Sequence, residues 1–275
     1  MYIDWSGSMS HCMGKTIDQL MLLALFCKKA NIPFDCFAFS NHYWNRDDLP
    51  EGERPNRYNR GYYPGNVKEL AVQTNFKLLH LVSSQLNNQK FTKAMIYLTY
   101  LREGFNSRYS YTASMCQVPD ELTLGGTPLN EAVLSAFPMI PLFRKKYNVQ
   151  IVNTVFLTDG AGAHIRAVHR TPTEDNGLNG IDSIDGRGVS KIQITDMVTK
   201  KNYNVDKYGD DTGLLLEILK DRTDCRVTGF FINTENRRNL NGNLRGIKPG
   251  LTYEEMEEAM DSLKKNQFAR MECQG

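Results

Sequence analysis

Residues 1–9 read Met1-Tyr2-Ile3-Asp4-Trp5-Ser6-Gly7-Ser8-Met9. Three apolar residues run into an acid, and the acid opens an alternating Asp-x-Ser-x-Ser series. Where the backbone leaves a strand and turns, such a series brings three hard oxygens to one point. Carboxylate and hydroxyl oxygens suit Mg2+ or Mn2+ rather than zinc or copper. Two later stretches offer oxygens of the same kind, Gly125-Gly126-Thr127-Pro128 and Leu157-Thr158-Asp159-Gly160. The candidate metal ligands are therefore Asp4, Ser6, Ser8, Thr127 and Asp159.

The elements around these stretches set the fold class. Residues 16–30 read as a helix, with Ile17, Leu20, Met21, Ala24 and Cys27 at helical spacing. The apolar run Leu20 to Cys27 is too short for a membrane span, which needs about 20 residues, and reads as a buried helix. Pro33 stops the helix, and the aromatic stretch 34–39 reads as a strand. Strand, helix and strand in that order make a right-handed crossover with parallel strands. Residues 68–86 fit either period; the reading leans to a helix ending near Gln85, with a strand over 76–82 as the alternative. Residues 91–101 form a helix on Ala94, Met95, Leu98 and Leu101. Residues 128–147 form another, with Ala132, Val133, Ala136 and Phe137 inward, which Pro138 and Pro141 should kink or shorten.

The near-continuous apolar run 151–157 marks a central parallel strand. Residues 192–195 and 202–205 suggest a hairpin, 212–221 a helix, and 227–232 another buried strand. Thr252 caps a final helix that runs to about Lys265, with Glu254 and Glu255 at its positive end. The fold class is α/β: a Rossmann-like, open, mostly parallel sheet with helices on both faces. It forms a single domain over 1–265, with insertions at about 41–66 and 164–207 and a tail over 266–275. A central strand normally has about five residues. Only three precede Asp4, so the reading expects a truncated first strand in a chain that begins mid-domain.

Composition excludes several function classes. With 33 basic and 31 acidic residues the net charge is +2, too balanced for a strongly basic nucleic-acid binder. The Arg- and Tyr-rich loop (Arg54, Arg57, Tyr58, Arg60, Tyr62, Tyr63) resembles a single-strand groove. Asp47, Asp48, Glu51 and Glu53 nevertheless cancel its four arginines, counting Arg46. None of the six cysteines forms a C-x-x-C pair, so they read as small buried thiols of a reducing compartment. No signal peptide is visible, which points to the cytoplasm.

Each ligand stretch has a plainer explanation when taken alone. Ser6 and Ser8 can cap the helix that follows, Thr127 before Pro128 suits a helix start, and Asp159-Gly160 is a turn signal. The three stretches occur together, in order and on suitable elements, and that favours a shared site.

Asp-Trp-Ser-Gly-Ser-Met, Leu-Gly-Gly-Thr-Pro-Leu-Asn-Glu-Ala and Phe-Leu-Thr-Asp-Gly resemble the metal-ion-dependent adhesion site (MIDAS) of von Willebrand factor A (vWA) domains. Within that family they resemble the vWA subunit of aerobic cobaltochelatase and, more closely still, look like the cobaltochelatase-like proteins of large tailed bacteriophages. The motifs cover 1–15, 122–136 and 151–161. The resemblance implies a vWA fold and a Mg2+ (or Mn2+) ion on the five candidate residues. It also implies a partner protein that supplies a Glu or Asp carboxylate to the metal, and action beside a MoxR-type AAA+ ATPase. On this reading the chain is a non-catalytic protein-binding module in the cytoplasm, of a bacterial host if phage-encoded. No G-x-x-x-x-G-K-[ST] loop occurs in the chain itself. The long acidic stretch that often precedes the domain in chelatase subunits does not occur within these 275 residues, where the expected truncated start would hide it.

Three alternatives stand beside this reading. The first is a subunit of a cobalt or magnesium chelatase. The second is a metal-dependent phosphatase-like hydrolase, with Asp4 as nucleophile and His11, His164 or His169 as base. Such enzymes carry a second acid two residues on, where this chain has Ser6. The third is a nucleic-acid-binding accessory protein.

Overall fold

The computed structural model describes residues 1–42, 66, 68–106, 116–160, 162–168, 181–183, 193–205, 211–232, 251–266 and 268–269. The named arginines and tyrosines of the first insertion, His169, Cys273 and most of the 266–275 tail lie outside them.

A five-stranded sheet forms the centre, and it is α/β as expected. Its strands are β1 (Tyr2–Asp4), β2 (Asp35–Ser40), β4 (Lys77–Ser83), β5 (Asn153–Thr158) and β10 (Arg226–Phe231), in the order β10-β5-β1-β2-β4. All neighbours are parallel except β2 and β4. After β1 the chain moves to one side through β2 and β4, then returns to the other side through β5 and β10. The switch point falls between β1 and β5, so the connections leaving their carboxyl ends diverge and open a crevice there.

Helices cover both faces: α1 (Met13–Lys29) and α2 (Asn88–Asn106) on one, α3 (Leu129–Tyr147) and α4 (Asp211–Thr223) on the other. The two-residue alternation of the strands sorts the core. Ile3, Cys36 and Ala38 face Ile17, Leu20, Leu98 and Leu101. Tyr2, Phe37 and Phe39 face Val133, Ala136, Leu215 and Leu219. Tyr2 stacks on Phe156 with ring centroids 4.9 Å apart, which locks β1 to β5 beneath the crevice.

Helix ends follow local chemistry. Asn31 takes a left-handed φ of 54°. Ile32 then donates to the Cys27 carbonyl at 2.9 Å and Asn31 to that of Lys28 at 3.4 Å, a Schellman ending with Lys28 and Lys29 in the last turn. The final helix, α5 (Tyr253–Asn266), starts with a capping box. Thr252 Oγ1 accepts the Glu255 amide at 3.2 Å, and Glu255 Oε2 accepts the Thr252 amide at 3.0 Å.

Three expectations change. The segment 68–86 is not a helix: its latter half is strand β4, because Leu78 and Leu79 pair across from Phe39 and Ala38 of β2. The run Leu20 to Cys27 is buried on one side only; Leu22 and Phe26 face outward at 61 % and 62 % exposure. The strand expected over 227–232 is β10 at the sheet's edge, where burial is partial and Phe230 is 53 % exposed. The helix expected over 128–147 is α3, which runs through Pro138 and Pro141 to Tyr147 without being shortened.

The second insertion builds small sheets of its own. β6 (Arg166–Val168) pairs with β3 (Leu70–Ala71) and β7 (Ile181–Ser183). β8 (Gln193–Thr195) and β9 (Asn202–Asn204) make the expected hairpin. Tyr203 and Lys201 anchor it to α4 by bonding Asp221 at 2.7 and 3.0 Å. No helix among the described residues is long and apolar enough to cross a membrane. The five described cysteines are free thiols.

Candidate metal centre

The crevice at the switch point gathers all three ligand stretches. Asp4 is the last residue of β1 and is fully buried. Trp5 continues the strand's pairing through its amide, which donates to the Phe39 carbonyl at 2.9 Å. The chain then turns into a short 3-10 segment, Gly7–His11, with Ser6 at its cap position. This carries Ser6 and Ser8 around the end of the sheet. Ser6 is 1 % exposed, whereas Ser8 is open to solvent, so the oxygens rise from a buried floor to an open mouth.

A chain of hydrogen bonds links the first and third stretches. The hydroxyls of Ser6 and Ser8 lie 2.9 Å apart, and Ser8 donates to Asp159 Oδ1 at 2.7 Å. Beneath them Thr158, at the end of β5, donates its hydroxyl to Asp4 Oδ2 at 2.6 Å. The other carboxylate oxygen, Asp4 Oδ1, is buried and has no hydrogen-bond partner. A buried acceptor without a partner costs about 1–3 kcal/mol, more when charged. Burial accordingly pushes the Asp4 carboxyl up to about 6; the Thr158 hydroxyl and the nearby polar groups of Ser6 pull against this, and the charge of Asp159 adds to it. Among the described residues no lysine or arginine pairs with Asp4 or Asp159.

The middle stretch is stitched to the first by its backbone. Gly125 donates to the Trp5 carbonyl at 3.0 Å, and its own carbonyl accepts Gly7 at 2.8 Å. The Trp5 indole holds the Leu122 carbonyl at 2.7 Å. Thr127 then lies against the third stretch, with its Oγ1 3.7 Å from where a Cβ on Gly160 would sit. Ser6, Ser8 and Asp159 thus form one hydrogen-bonded chain, Asp4 is tied beside it through Thr158, the neighbour of Asp159, and Thr127 borders the third stretch at Gly160.

The plainer uses of these hydroxyls are not made. Ser6 makes no side-chain capping bond, and Cys12 rather than Ser8 caps α1. The cap position of α3 is Pro128, again without a side-chain capping bond. Among the described residues no group of three or more His, Cys, Asp or Glu could hold a metal. The donor set here is instead two carboxylates and three hydroxyls. Hydroxyls with acids are ligands of a small hard cation, and the unpartnered Asp4 oxygen fits such an ion.

Of the histidines, His11 is exposed on the 3-10 turn. His164 pairs with Asp211 at 3.3 Å. Sequence reasoning missed three supports of the site: Thr158, Trp5 and Asn41. Thr158 and Trp5 stand inside the motifs already singled out. Asn41 follows β2 at the sheet's carboxyl end, where ligand-holding residues concentrate. No protein-family model matches the chain, and no curated protein or solved structure matches it either.

Proposed function

We propose that the chain is a divalent-cation-dependent protein-binding module of von Willebrand factor A type. Asp4, Ser6, Ser8, Thr127 and Asp159 would hold Mg2+ or Mn2+. Such an ion, bound largely by neutral hydroxyls, stays electron-poor and takes a carboxylate from a Glu or Asp of a partner protein. The protein's own part is to fix the oxygens, keep Asp4 ionised once the cation arrives and leave the mouth at Ser8 and Asp159 open.

The observation that carries this reading is the buried Asp4 carboxylate. One oxygen is tied to Thr158, and the other has no partner at the floor of a crevice lined by further oxygens. A non-catalytic role fits best, because a carboxylate with no exposed surface is badly placed to attack a phosphate ester. The partner suggested by the resemblance is a MoxR-type AAA+ ATPase, either in a remodelling pair or in a chelatase complex.

The test is capture of partners from the native host with Mg2+ and with EDTA, using the wild type, Asp4→Ala and Thr127→Ala. The reading expects a protein retained only with Mg2+ and only by the wild type, with both variants folded. Equal retention by the variants would sink it. Turnover of a phosphate ester that disappears in Asp4→Asn would replace it with the hydrolase.

A further inference from the structure

We infer that Asn41 is a positioning residue of the metal site: its carboxamide sets the loop that presents Thr127. This deepens the metal-binding reading and rests on it.

Asn41 follows directly on β2 and is 8 % exposed. Its Oδ1 accepts the Gly126 amide at 2.6 Å, and its Nδ2 donates to Gln73 Oε1 at 3.0 Å. Its backbone carbonyl accepts Nδ2 of Asn75. Gln73 and Asn75 are 1 % and 7 % exposed, so the three carboxamides form a closed-off cluster beside the crevice. A buried backbone amide needs an acceptor, and the Asn41 carboxamide offers an acceptor to Gly126 and a donor to Gln73 at once.

The two glycines are shaped to this contact. A Cβ on Gly126 would meet Asn41 Oδ1 at 2.8 Å, and one on Gly125 would meet the His42 nitrogen and Ser40 Oγ at 2.6 Å. Gly125-Gly126 therefore lies flat against the end of β2. Upstream, the loop is held by Trp5 through Leu122 and Gly125. Asn41 takes the next residue along, immediately before Thr127. Losing it releases the Thr127 end of the loop while the Trp5 clamp stays. Partners that orient metal ligands typically change metal affinity 10- to 100-fold when removed.

The experiment titrates Mn2+ into the full chain by electron paramagnetic resonance and follows Gly126 amide exchange by NMR in metal-free protein. The variants are Asn41→Ala, Asn41→Asp, Thr127→Ala and the Asn41→Ala/Thr127→Ala pair. Asn41→Ala should weaken Mn2+ binding by about tenfold or more and speed Gly126 exchange by a similar factor. Asn41→Asp keeps the acceptor and should restore Gly126 protection. Where Thr127 is already alanine, Asn41→Ala should change Mn2+ affinity by no more than about twofold, because the two residues act through one path. Equal losses with and without the Thr127 hydroxyl overturn the inference, as does unchanged Gly126 protection in Asn41→Ala. If Asn41→Ala fails to fold, Asn41→Ser, too short to reach Gly126, takes its place with the same expectations. A wild type that binds no Mn2+ overturns the metal reading itself; Gly126 exchange then still decides whether Asn41 holds the loop.

Discussion

Asp4→Asn should stabilise the metal-free protein near neutral pH, and the gain should grow with pH. The folded Asp4 carboxyl sits at about 6, above its ordinary 3.8. A raised carboxyl value means that the native state holds the proton more tightly than the unfolded chain. Stability is then greatest below the unfolded value and falls as pH rises toward the folded one. The gap of about two pH units corresponds to about 3 kcal/mol at full development, at about 1.36 kcal/mol per unit. Roughly 2 kcal/mol of it develops between about pH 4.5 and about pH 7.5.

Asparagine carries no charge to desolvate, so Asp4→Asn lacks this slope, and subtracting the two proteins removes the titration of every other group. Urea unfolding read through Trp5, one of two tryptophans and fully buried, gives both curves. Mg2+ selects the ionised carboxylate and should cancel the penalty. At about a hundredfold over its dissociation constant it adds about 2.7 kcal/mol to the wild type and nothing to Asp4→Asn. A wild-type minus Asp4→Asn difference that is flat across this range would refute the reasoning. Equal stabilisation of the two proteins by Mg2+ would do the same.

Other perturbations separate the parts of the site and the sheet. Thr158→Val removes the hydroxyl that holds Asp4 Oδ2; it should cost about 1–3 kcal/mol in urea unfolding at neutral pH, and less at low pH. Gly125→Ala places a methyl 2.6 Å from the His42 nitrogen and should lower stability by about 1–3 kcal/mol, seen as a lower melting temperature together with weakened Mn2+ binding. Trp5→Phe loses the bond to Leu122 and puts a smaller ring in a fully buried position, a loss of about 2–4 kcal/mol checked by thermal unfolding. At the opposite end of the sheet, burial raises the Asp35 carboxyl, but bonds from His80 and Ser83 and the charge of Lys146 outweigh it and hold it below its usual range. Its contribution is present above the unfolded value and lost as pH falls through the lower folded one. Asp35→Asn should therefore destabilise at neutral pH and lose that effect in acid, as read by unfolding on both sides of about pH 4.

Much of this architecture was legible because the signals were local. The helical spacing of Ile17, Leu20, Ala24 and Cys27 and the stop at Asn31-Ile32-Pro33 give α1 to within a few residues. The three ligand stretches follow strand ends or precede a helix, so a parallel sheet brings them to one edge. What escaped depended on distant partners. Leu78, Leu79, Leu81 and Val82 satisfy both periods, and only pairing with β2 makes the segment a strand. The outer half of the Leu20 to Cys27 run is exposed because the sheet covers just one side of α1, which a count of apolar residues does not reveal. Asn41 gave no signal of its own: its role exists only because Gly126, 85 residues away, comes to lie against it. Thr158 was in view beside Asp159, but its bond to Asp4 spans 154 residues.

The central claim is that Asp4, Ser6, Ser8, Thr127 and Asp159 hold one divalent cation. Its most direct test is calorimetric titration of Mg2+ and of Mn2+ into the wild type, Asp4→Asn and Thr127→Ala at neutral pH. The account predicts one ion per chain, no binding by Asp4→Asn, and binding by Thr127→Ala weakened by about tenfold or more. Absence of binding by the wild type, or binding that both substitutions leave unchanged, would contradict it.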